Sequence, residues 1–115
     1  MLKLLPSPVN TPYTIKIHAP EFTNLCPFNE SLPDFGVIDI EYSPDKHIFE
    51  FQSFRNYLHG FRNTKITHEE VINDIMYYIV SAIQPHWIKI KGTWNIRGGT
   101  QTTVEAKWTK NKSST

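Results

Sequence analysis

The chain has 115 residues, which is enough for one hydrophobic core and too few for two. Its 39% hydrophobic and 20% charged residues are typical of a globular protein, and its net charge of +1 argues against tight, sequence-independent binding to nucleic acid. No stretch reaches the length of a signal-peptide core or a membrane span. We therefore expect a cytoplasmic protein with a single domain over residues 1–115 and flexible ends at 1–10 and 109–115.

Two segments in the first half of the chain alternate between apolar and polar residues, as strands with one buried face do. The first covers residues 13–18 and the second covers residues 35–42. Residues 21–34 show no clear period and predict a loop that contains the single cysteine, Cys26. A proline directly after the second strand, Pro44, predicts a turn there.

Two helices are predicted further along the chain. Ser53 has a side chain suited to a helix N-cap, and apolar residues follow it at helical spacing. Thr67 and Glu70 have the Thr-x-x-Glu pattern of a capping box at the start of a second, longer helix. Its apolar stripe continues until Pro85, which cannot remain inside a helix.

Residues 87–91 and 102–108 alternate again and predict two further strands, with a turn at residues 97–99, Arg-Gly-Gly. The order strand, strand, helix, helix, strand, strand is typical of an α+β domain with an antiparallel sheet. Open sheet edges promote aggregation, and closure into a ring of subunits removes them. We therefore also expect a homo-oligomer.

Cys26 is the first candidate for chemistry, because a lone thiol can neither close an internal disulfide nor hold a zinc ion by itself. It is either a nucleophile or a small buried hydrophobic residue, and the sequence around it leaves both readings open. Asp34 is either a turn residue or the acid that protonates the anion formed by thiolate attack.

His68 and Glu69 lie at the predicted start of the long helix, where Glu69 could accept hydrogen bonds from the N–H edge of a flat nitrogenous ring. The alternative is that Glu69 only complements the helix dipole and that His68 is a surface residue. Glu50 faces either a pocket or solvent. Arg55 is either a phosphate ligand or a solvated side chain. Arg97 either contacts a phosphate or marks a hairpin corner. No histidine spacing predicts a metal site.

Taken in order, these segments resemble the QueF family, the nitrile reductases that convert 7-cyano-7-deazaguanine to 7-aminomethyl-7-deazaguanine. The resemblance is to the short, single-domain form of the family and covers residues 21–99. It is carried by Leu25-Cys26-Pro27, Pro33-Asp34-Phe35-Gly36, Tyr42-Ser43-Pro44-Asp45-Lys46, Glu50, Tyr57-Leu58, Phe61-Arg62-Asn63, His68-Glu69 and Arg97-Gly98-Gly99.

This resemblance implies a fold, an assembly and a reaction. The fold is the tunnelling fold, a four-stranded antiparallel sheet with two helices, whose subunits form barrel-like rings with active sites at their interfaces. Cys26 would attack the nitrile carbon of 7-cyano-7-deazaguanine to give a thioimide, and Asp34 would protonate the nitrile nitrogen. NADPH would then supply two hydrides, in a step of queuosine biosynthesis that serves tRNA modification. Membranes are not implied as partners.

The same resemblance assigns roles to individual residues. Glu69 would anchor the deazaguanine ring, and His68 would lie beside the reacting group. The full set implied by the resemblance is Cys26, Asp34 and His68 for catalysis, Phe49, Glu50, Phe51, His68 and Glu69 for substrate binding, and Gln52, Ser53, Arg55, Arg97 and Gly98 for the cofactor.

The sequence departs from the family pattern at two places. The loop between Cys26 and Asp34 is one residue longer than usual. The signature associated with NADPH, Glu-Ser-Lys-Ser followed by an apolar residue and Lys, has Gln52 at its first lysine and Arg55 at its second. One positive charge is therefore lost where a phosphate could bind, and the other is kept in a forked guanidinium.

This altered signature leaves an alternative open. QueF-like proteins without the NADPH signature form the same thioimide but let ammonia attack it, which converts the nitrile base in tRNA to archaeosine. We favour the reductase, with weaker NADPH binding, because Glu50, Ser53 and Arg55 remain and the chain has no overall basic surface for RNA. A third hypothesis is a non-catalytic ring-forming protein, which would need Glu69 but not Cys26.

Overall fold

The computed structural model describes residues 1–28 and 32–110 of the chain. Its elements follow in the order β1 (Leu4–Pro6), β2 (Ile15–Leu25), β3 (Pro33–Ser43), β4 (His47–Phe49), α1 (Phe51–His59), a 3₁₀ helix (Gly60–Asn63), α2 (His68–Ile83), β5 (Trp87–Trp94) and β6 (Thr103–Thr109). None of the helices in these segments has the length and apolar character that a membrane crossing requires.

A four-stranded antiparallel sheet with the order β2-β3-β5-β6 forms the frame of the domain. Every second residue of β3 is buried, which gives the strand one core face and one polar face. The α+β class, the antiparallel sheet and the two helices predicted from sequence are confirmed.

The α2 helix covers the apolar face of the sheet. The predicted capping box begins it, because Thr67 accepts a hydrogen bond from the backbone of Glu70 while the Glu70 carboxylate accepts one from the backbone of Thr67. The helix ends at Gln84, whose φ of 43° is left-handed, just before Pro85. The core is formed by its buried side chains Val71, Ile72, Ile75 and Ile79 together with Ile38, Ile40, Ile88 and Ile90 of the sheet.

The predicted loop over residues 21–34 is wrong at both of its ends. The β2 strand continues to Leu25, and β3 already begins at Pro33. A shift in the β2–β3 register between Ala19 and Phe22 lets the ladder resume after Pro20. Such a bulge tolerates a residue that has no N–H to donate, so the proline does not end the strand.

Two features at the amino-terminal side were not predicted. Residues 4–6 form β1, which pairs with β4 in a second, two-stranded sheet, although this strand lies in the segment 1–10 that we expected to be flexible. The α1 helix begins at Phe51 with Glu50, not Ser53, as its N-cap. A carboxylate has two acceptor oxygens, and here they accept from the backbone N–H groups of Gln52 at 2.6 Å and Ser53 at 2.9 Å. The other expected flexible end, 109–115, lies outside the described residues from 111 onward.

Two glycines make room for the indole ring of Trp94, the last residue of β5. A Cβ atom built on Gly92 would lie 2.6 Å from Cζ3 of Trp94 and 2.7 Å from Cδ1 of Ile72. A Cβ atom on Gly36 would lie 3.0 Å from Cδ1 of Trp94. These distances are shorter than ordinary carbon contacts, so the buried indole fills a space that larger residues on β3 and β5 would close.

We expect Gly92→Ala to lower the free energy of unfolding by about 1–3 kcal/mol, because the added methyl group overpacks the contact with Trp94 and Ile72. Gly60→Ala is the matched control: no atom lies within 4 Å of its Cβ position. Its φ of −62° suits any residue, so the control should be unchanged or about 0.5 kcal/mol more stable. Urea unfolding followed by circular dichroism measures both variants, and equal stability of the two would contradict the overpacking argument.

Candidate active site

A cavity of about 290 Å³ lies where the end of β2, the start of β3 and the first turn of α2 meet. Five of the site residues predicted from sequence line this cavity: Cys26, Asp34, His68, Glu69 and Arg97. They are far apart in the sequence, and the antiparallel pairing of β2 with β3 and the return of α2 to the end of β2 bring them together.

Cys26 directly follows β2 and is half-buried. Its backbone N–H donates a hydrogen bond of 2.9 Å to the carbonyl of Leu32, which closes the connection to β3. The preceding residue, Leu25, is held between Thr64 and Ile66 by backbone hydrogen bonds of 2.9 and 3.1 Å. The thiol thus forms no disulfide and lines the cavity, on a main chain that these hydrogen bonds hold in place.

Asp34 is buried, with 8% of its surface exposed, and two cationic or proton-bearing groups contact its carboxylate. Oδ2 lies 3.1 Å from Nε2 of His68, so that one proton can be shared along this contact. Oδ1 lies 3.4 Å from Nη2 of Arg97, which also donates a hydrogen bond to the carbonyl of Pro33 at 2.9 Å. A buried carboxyl that contacts an imidazole can deliver a proton to a bound ligand in the cavity.

Arg97 reaches Asp34 because it starts a tight hairpin turn. Arg97 and Thr100 exchange backbone hydrogen bonds of 2.9 and 3.1 Å. Gly98 and Gly99 between them have φ values of 61° and 78°, which residues other than glycine adopt only with strain. The turn predicted from Arg-Gly-Gly is confirmed. The structure places Arg97 beside Asp34, and the cofactor role that the family resemblance implies for Arg97 and Gly98 stays a prediction.

His68 is the first residue of α2, and its ring lies flat on the indole of Trp94. The ring centroids are 4.0 Å apart and the planes differ by 9°. Trp94 in turn donates a hydrogen bond of 3.1 Å from Nε1 to Oδ1 of the fully buried Asn24. Sequence analysis singled out neither Asn24 nor Trp94, although an asparagine in an otherwise apolar stretch is a signal of a buried polar contact.

Glu69 is exposed at the first turn of α2 and lines the same cavity. The neighbouring Thr67 and Glu70 provide the capping interactions of the helix, so the carboxylate of Glu69 is not needed as a cap. An acceptor with two oxygens at the mouth of a cavity suits a ligand that presents paired N–H donors.

The remaining predicted residues lie at the start of α1 and not in the cavity of Cys26. Phe49 is buried in the core, where its ring stacks on Tyr42 at 5.0 Å and contacts Phe54 at 4.7 Å. Glu50 caps α1, and the hydroxyl of Ser53 donates to the carbonyl of Glu50 and accepts from the backbone N–H of Lys3. Gln52 is exposed on the same turn.

A second cavity of about 290 Å³ lies between α1 and the edge strand β2, and it contains Phe51 and Arg55. His59 and Arg62 also line it, so three basic side chains follow one another along α1 and the 3₁₀ helix. Sequence analysis assigned no role to His59 or Arg62, although their spacing of four and three residues from Arg55 onward is helical. The two cavities share no lining residue.

Three basic side chains beside an apolar groove fit a phosphate-bearing cofactor with flat rings, because guanidinium groups bind phosphate in forked geometry. The N-terminus of α1 itself is already occupied by the carboxylate of Glu50. In the segments that the structure describes, no group of three or more His, Cys, Asp or Glu side chains could hold a metal ion.

Comparison with known proteins identifies the family. A family model described as QueF-like protein matches residues 33–113. This chain belongs to the QueF-like protein family. Two curated relatives named NADPH-dependent 7-cyano-7-deazaguanine reductase illustrate the similarity. The relative from Chlorobaculum parvum is 45% identical over 90% of this chain and 88% of its own length. The relative from Chlorobaculum tepidum is 44% identical over 87% and 85%.

Among solved structures, the crystal structure of an archaeosine synthase named QueF-Like, in its apo form, matches this QueF-like chain with a TM-score of 0.71. The match covers 84% of this chain and 91% of the other at 21% sequence identity. Similarity at this level of identity concerns the fold, and it confirms the predicted tunnelling fold of the single chain.

Glu50 gives the QueF-like domain a pH-dependent stability. Hydrogen bonds from the backbone N–H groups of Ser53 and Gln52 hold the pKa of its carboxyl below the ordinary value of 4.5. Because the pKa of Glu50 is lower in the folded than in the unfolded chain, its ionised carboxylate stabilises the folded state above pH 4.5. This stabilisation is lost as the pH falls through the pKa that Glu50 has in the folded state.

We therefore expect Glu50→Gln to unfold at lower urea concentration than the wild type at about pH 6 and to lose less stability on acidification to about pH 3. Glutamine keeps one acceptor for the cap but cannot be protonated in this range, so the difference between the two pH profiles isolates this one group. Urea unfolding at each pH is the measurement, and parallel profiles would show that the carboxylate adds nothing to the cap.

Proposed function

We propose that this protein is a nitrile reductase that converts 7-cyano-7-deazaguanine to 7-aminomethyl-7-deazaguanine with NADPH, a step of queuosine biosynthesis in the cytoplasm. One observation carries the proposal. A half-buried thiol shares a cavity with a carboxyl–imidazole pair, in a chain about 45% identical to curated proteins named for this reaction.

The first step is addition of the Cys26 thiolate to the nitrile carbon. The carbon–sulfur bond forms as one π bond of the nitrile breaks, and the nitrogen takes up a proton from Asp34, which leaves a covalent thioimide on Cys26. Asp34 is suited to donate this proton because its carboxyl is buried in the cavity. Nε2 of His68, 3.1 Å from Oδ2 of Asp34, can return a proton to it.

Reduction of the thioimide to the amine requires two hydrides and one further proton, with return of the thiolate to Cys26. NADPH, when bound, supplies the hydrides. The protein supplies the protons through Asp34 and His68 and keeps the reacting carbon beside the thiolate. Arg97 at 3.4 Å from Asp34 stabilises the carboxylate that each proton transfer leaves behind.

Substrate binding is assigned to Glu69, whose exposed carboxylate at the cavity mouth accepts hydrogen bonds from the N–H edge of the deazaguanine ring. Cofactor binding is assigned to Arg55, with Gln52 and Ser53 on the same helical turn. The charge of Arg62 in the same groove offsets the lysine that Gln52 replaces, and His59 adds a ring N–H donor.

A homo-oligomer with active sites at subunit interfaces brings these two sets of residues together. The cavities of Cys26 and Arg55 share no lining residue within one chain. The strands β2 and β6 are open edges of the sheet, and segments around the first cavity expose large apolar side chains. These exposed side chains are Phe28, Leu32, Phe35 and Ile96, with 49–69% of their surface accessible.

We expect NADPH absorbance to fall after the protein is mixed with 7-cyano-7-deazaguanine, and Cys26→Ala to abolish this loss because no thioimide can form. Mass spectrometry of the wild type mixed with substrate alone should show a covalent adduct on Cys26, and Cys26→Ala should show none. The thermal unfolding midpoint of the variant checks that its fold is kept.

The same two readouts distinguish the alternatives. An adduct on Cys26 without NADPH consumption would favour ammonia-dependent formation of an amidine, the archaeosine reaction on tRNA. Neither adduct nor consumption, with substrate still bound, would favour a non-catalytic binding protein. Reductase activity that survived Cys26→Ala would overturn the thioimide route.

The shared site is tested by mixing two inactive variants. We expect Cys26→Ala and Arg55→Glu subunits, each inactive alone, to recover activity when they are co-expressed, because about a quarter of the randomly formed interfaces would carry both native residues. Co-expressed Cys26→Ala and Asp34→Asn subunits are the matched control, since both residues line one cavity. Activity restored in the control as much as in the test, or in neither, would contradict a site built from two subunits.

A further inference from the structure

Trp94 and Asn24 form a buried polar contact that the reaction chemistry does not use. Asn24 is fully buried and Trp94 is 2% exposed. Nε1 of Trp94 donates to Oδ1 of Asn24 at 3.1 Å. A buried asparagine is costly unless its groups are hydrogen-bonded, so its presence here requires a structural reason.

This contact fixes the orientation of the indole ring. The hydrogen bond to Asn24 determines which edge of the ring faces β2. The backbones of Gly36 and Gly92 approach the ring so closely that a Cβ atom on either would lie 2.6–3.0 Å from it. The indole therefore has one position between β3 and the core, and rotation about its side-chain bonds would bring it into these strands.

The fixed indole supports the imidazole of His68. The two rings are stacked at 4.0 Å with their planes 9° apart, which restricts the tilt of the imidazole. In this orientation Nε2 of His68 lies 3.1 Å from Oδ2 of Asp34. A ring free to rotate would make this contact only part of the time.

Asn24 also holds the backbone segment that leads into α2. Its Nδ2 donates to the carbonyl of Ile66 at 3.0 Å, two residues before His68. In the β2–β3 ladder Asn24 is the partner of Asp34. The side chain of Asn24 thus contacts Trp94, which supports the His68 ring, and the carbonyl of Ile66, which precedes His68. Asn24 itself lies on β2, the strand that pairs with the strand of Asp34.

We propose that Asn24 and Trp94 are positioning residues that hold the imidazole of His68 against Asp34. For its kinetic consequence, the proposal rests on the nitrile reductase function. In that reaction Asn24 and Trp94 act only through His68, because a misplaced imidazole cannot return a proton to Asp34 at the required distance.

The experiment compares Asn24→Leu, which removes the side-chain hydrogen bonds of Asn24 to Trp94, Ile66 and Leu25 at similar volume, with Trp94→Phe, which keeps a flat ring without the N–H donor. Tyr78→Phe is the matched control, because it removes one side-chain hydrogen bond from α2, the 2.8 Å contact with the backbone N–H of Leu2, without contacting His68. Each variant is measured by histidine NMR of the ligand-free protein and by steady-state kinetics. The ring resonances of His68 are assigned by their absence in His68→Ala.

The NMR readout does not depend on any activity. We expect the His68 ring protons to be displaced upfield by the indole in the wild type and in Tyr78→Phe, and to move towards the values of exposed histidines in Asn24→Leu and Trp94→Phe. His68 resonances unchanged in both variants would overturn the proposal. A wild type without reductase activity would overturn the proposed function, and the NMR result would then decide the positioning role alone.

The kinetic readout separates positioning from general damage. We expect Asn24→Leu to lower kcat about tenfold to a hundredfold with KM for 7-cyano-7-deazaguanine within about twofold. In the His68→Ala background the same substitution should have almost no further effect on kcat, because the group through which it acts is already absent. Effects that multiply in the double variant would overturn the proposal.

Discussion

The structure depends on the attachment of the segment before α2 to the end of β2. Two backbone hydrogen bonds join Leu25 to Thr64 and to Ile66. A third hydrogen bond at this junction runs from the side chain of Asn24 to the carbonyl of Ile66. Cys26 follows directly on one side of this junction, and His68 begins α2 on the other. Residues more than forty positions apart therefore share one cavity because of a few hydrogen bonds between two backbones.

The polar groups of the cavity are arranged as a chain of contacts that starts in the core. Asn24 contacts Trp94, Trp94 supports His68, His68 contacts Asp34, and Arg97 contacts the other oxygen of Asp34. The buried members are satisfied within the protein and the outer ones face the cavity. Such an arrangement restricts side-chain motion at the point where proton transfer is proposed. It also makes the core less tolerant of substitution, because each buried polar group needs its partner.

Local patterns in the sequence predicted local structure well. The capping box of Thr67, the alternation along β3 and the glycine turn after Arg97 each depend on neighbouring residues, and all three are confirmed. The extension of β2 depends on a bulge, and β1 on pairing with β4, so both required tertiary information. The same holds for the site: the sequence singled out Cys26, Asp34 and His68, but only the folded chain shows that Trp94 supports the imidazole. The roles assigned to these residues remain predictions.

The close approach of Gly36 and Gly92 to the indole has an evolutionary consequence. A larger residue at either glycine would occupy the volume of the ring, and a smaller ring at position 94 would leave a void beside His68 and an asparagine at position 24 without its donor. We therefore expect these four positions on three strands to change together rather than one at a time.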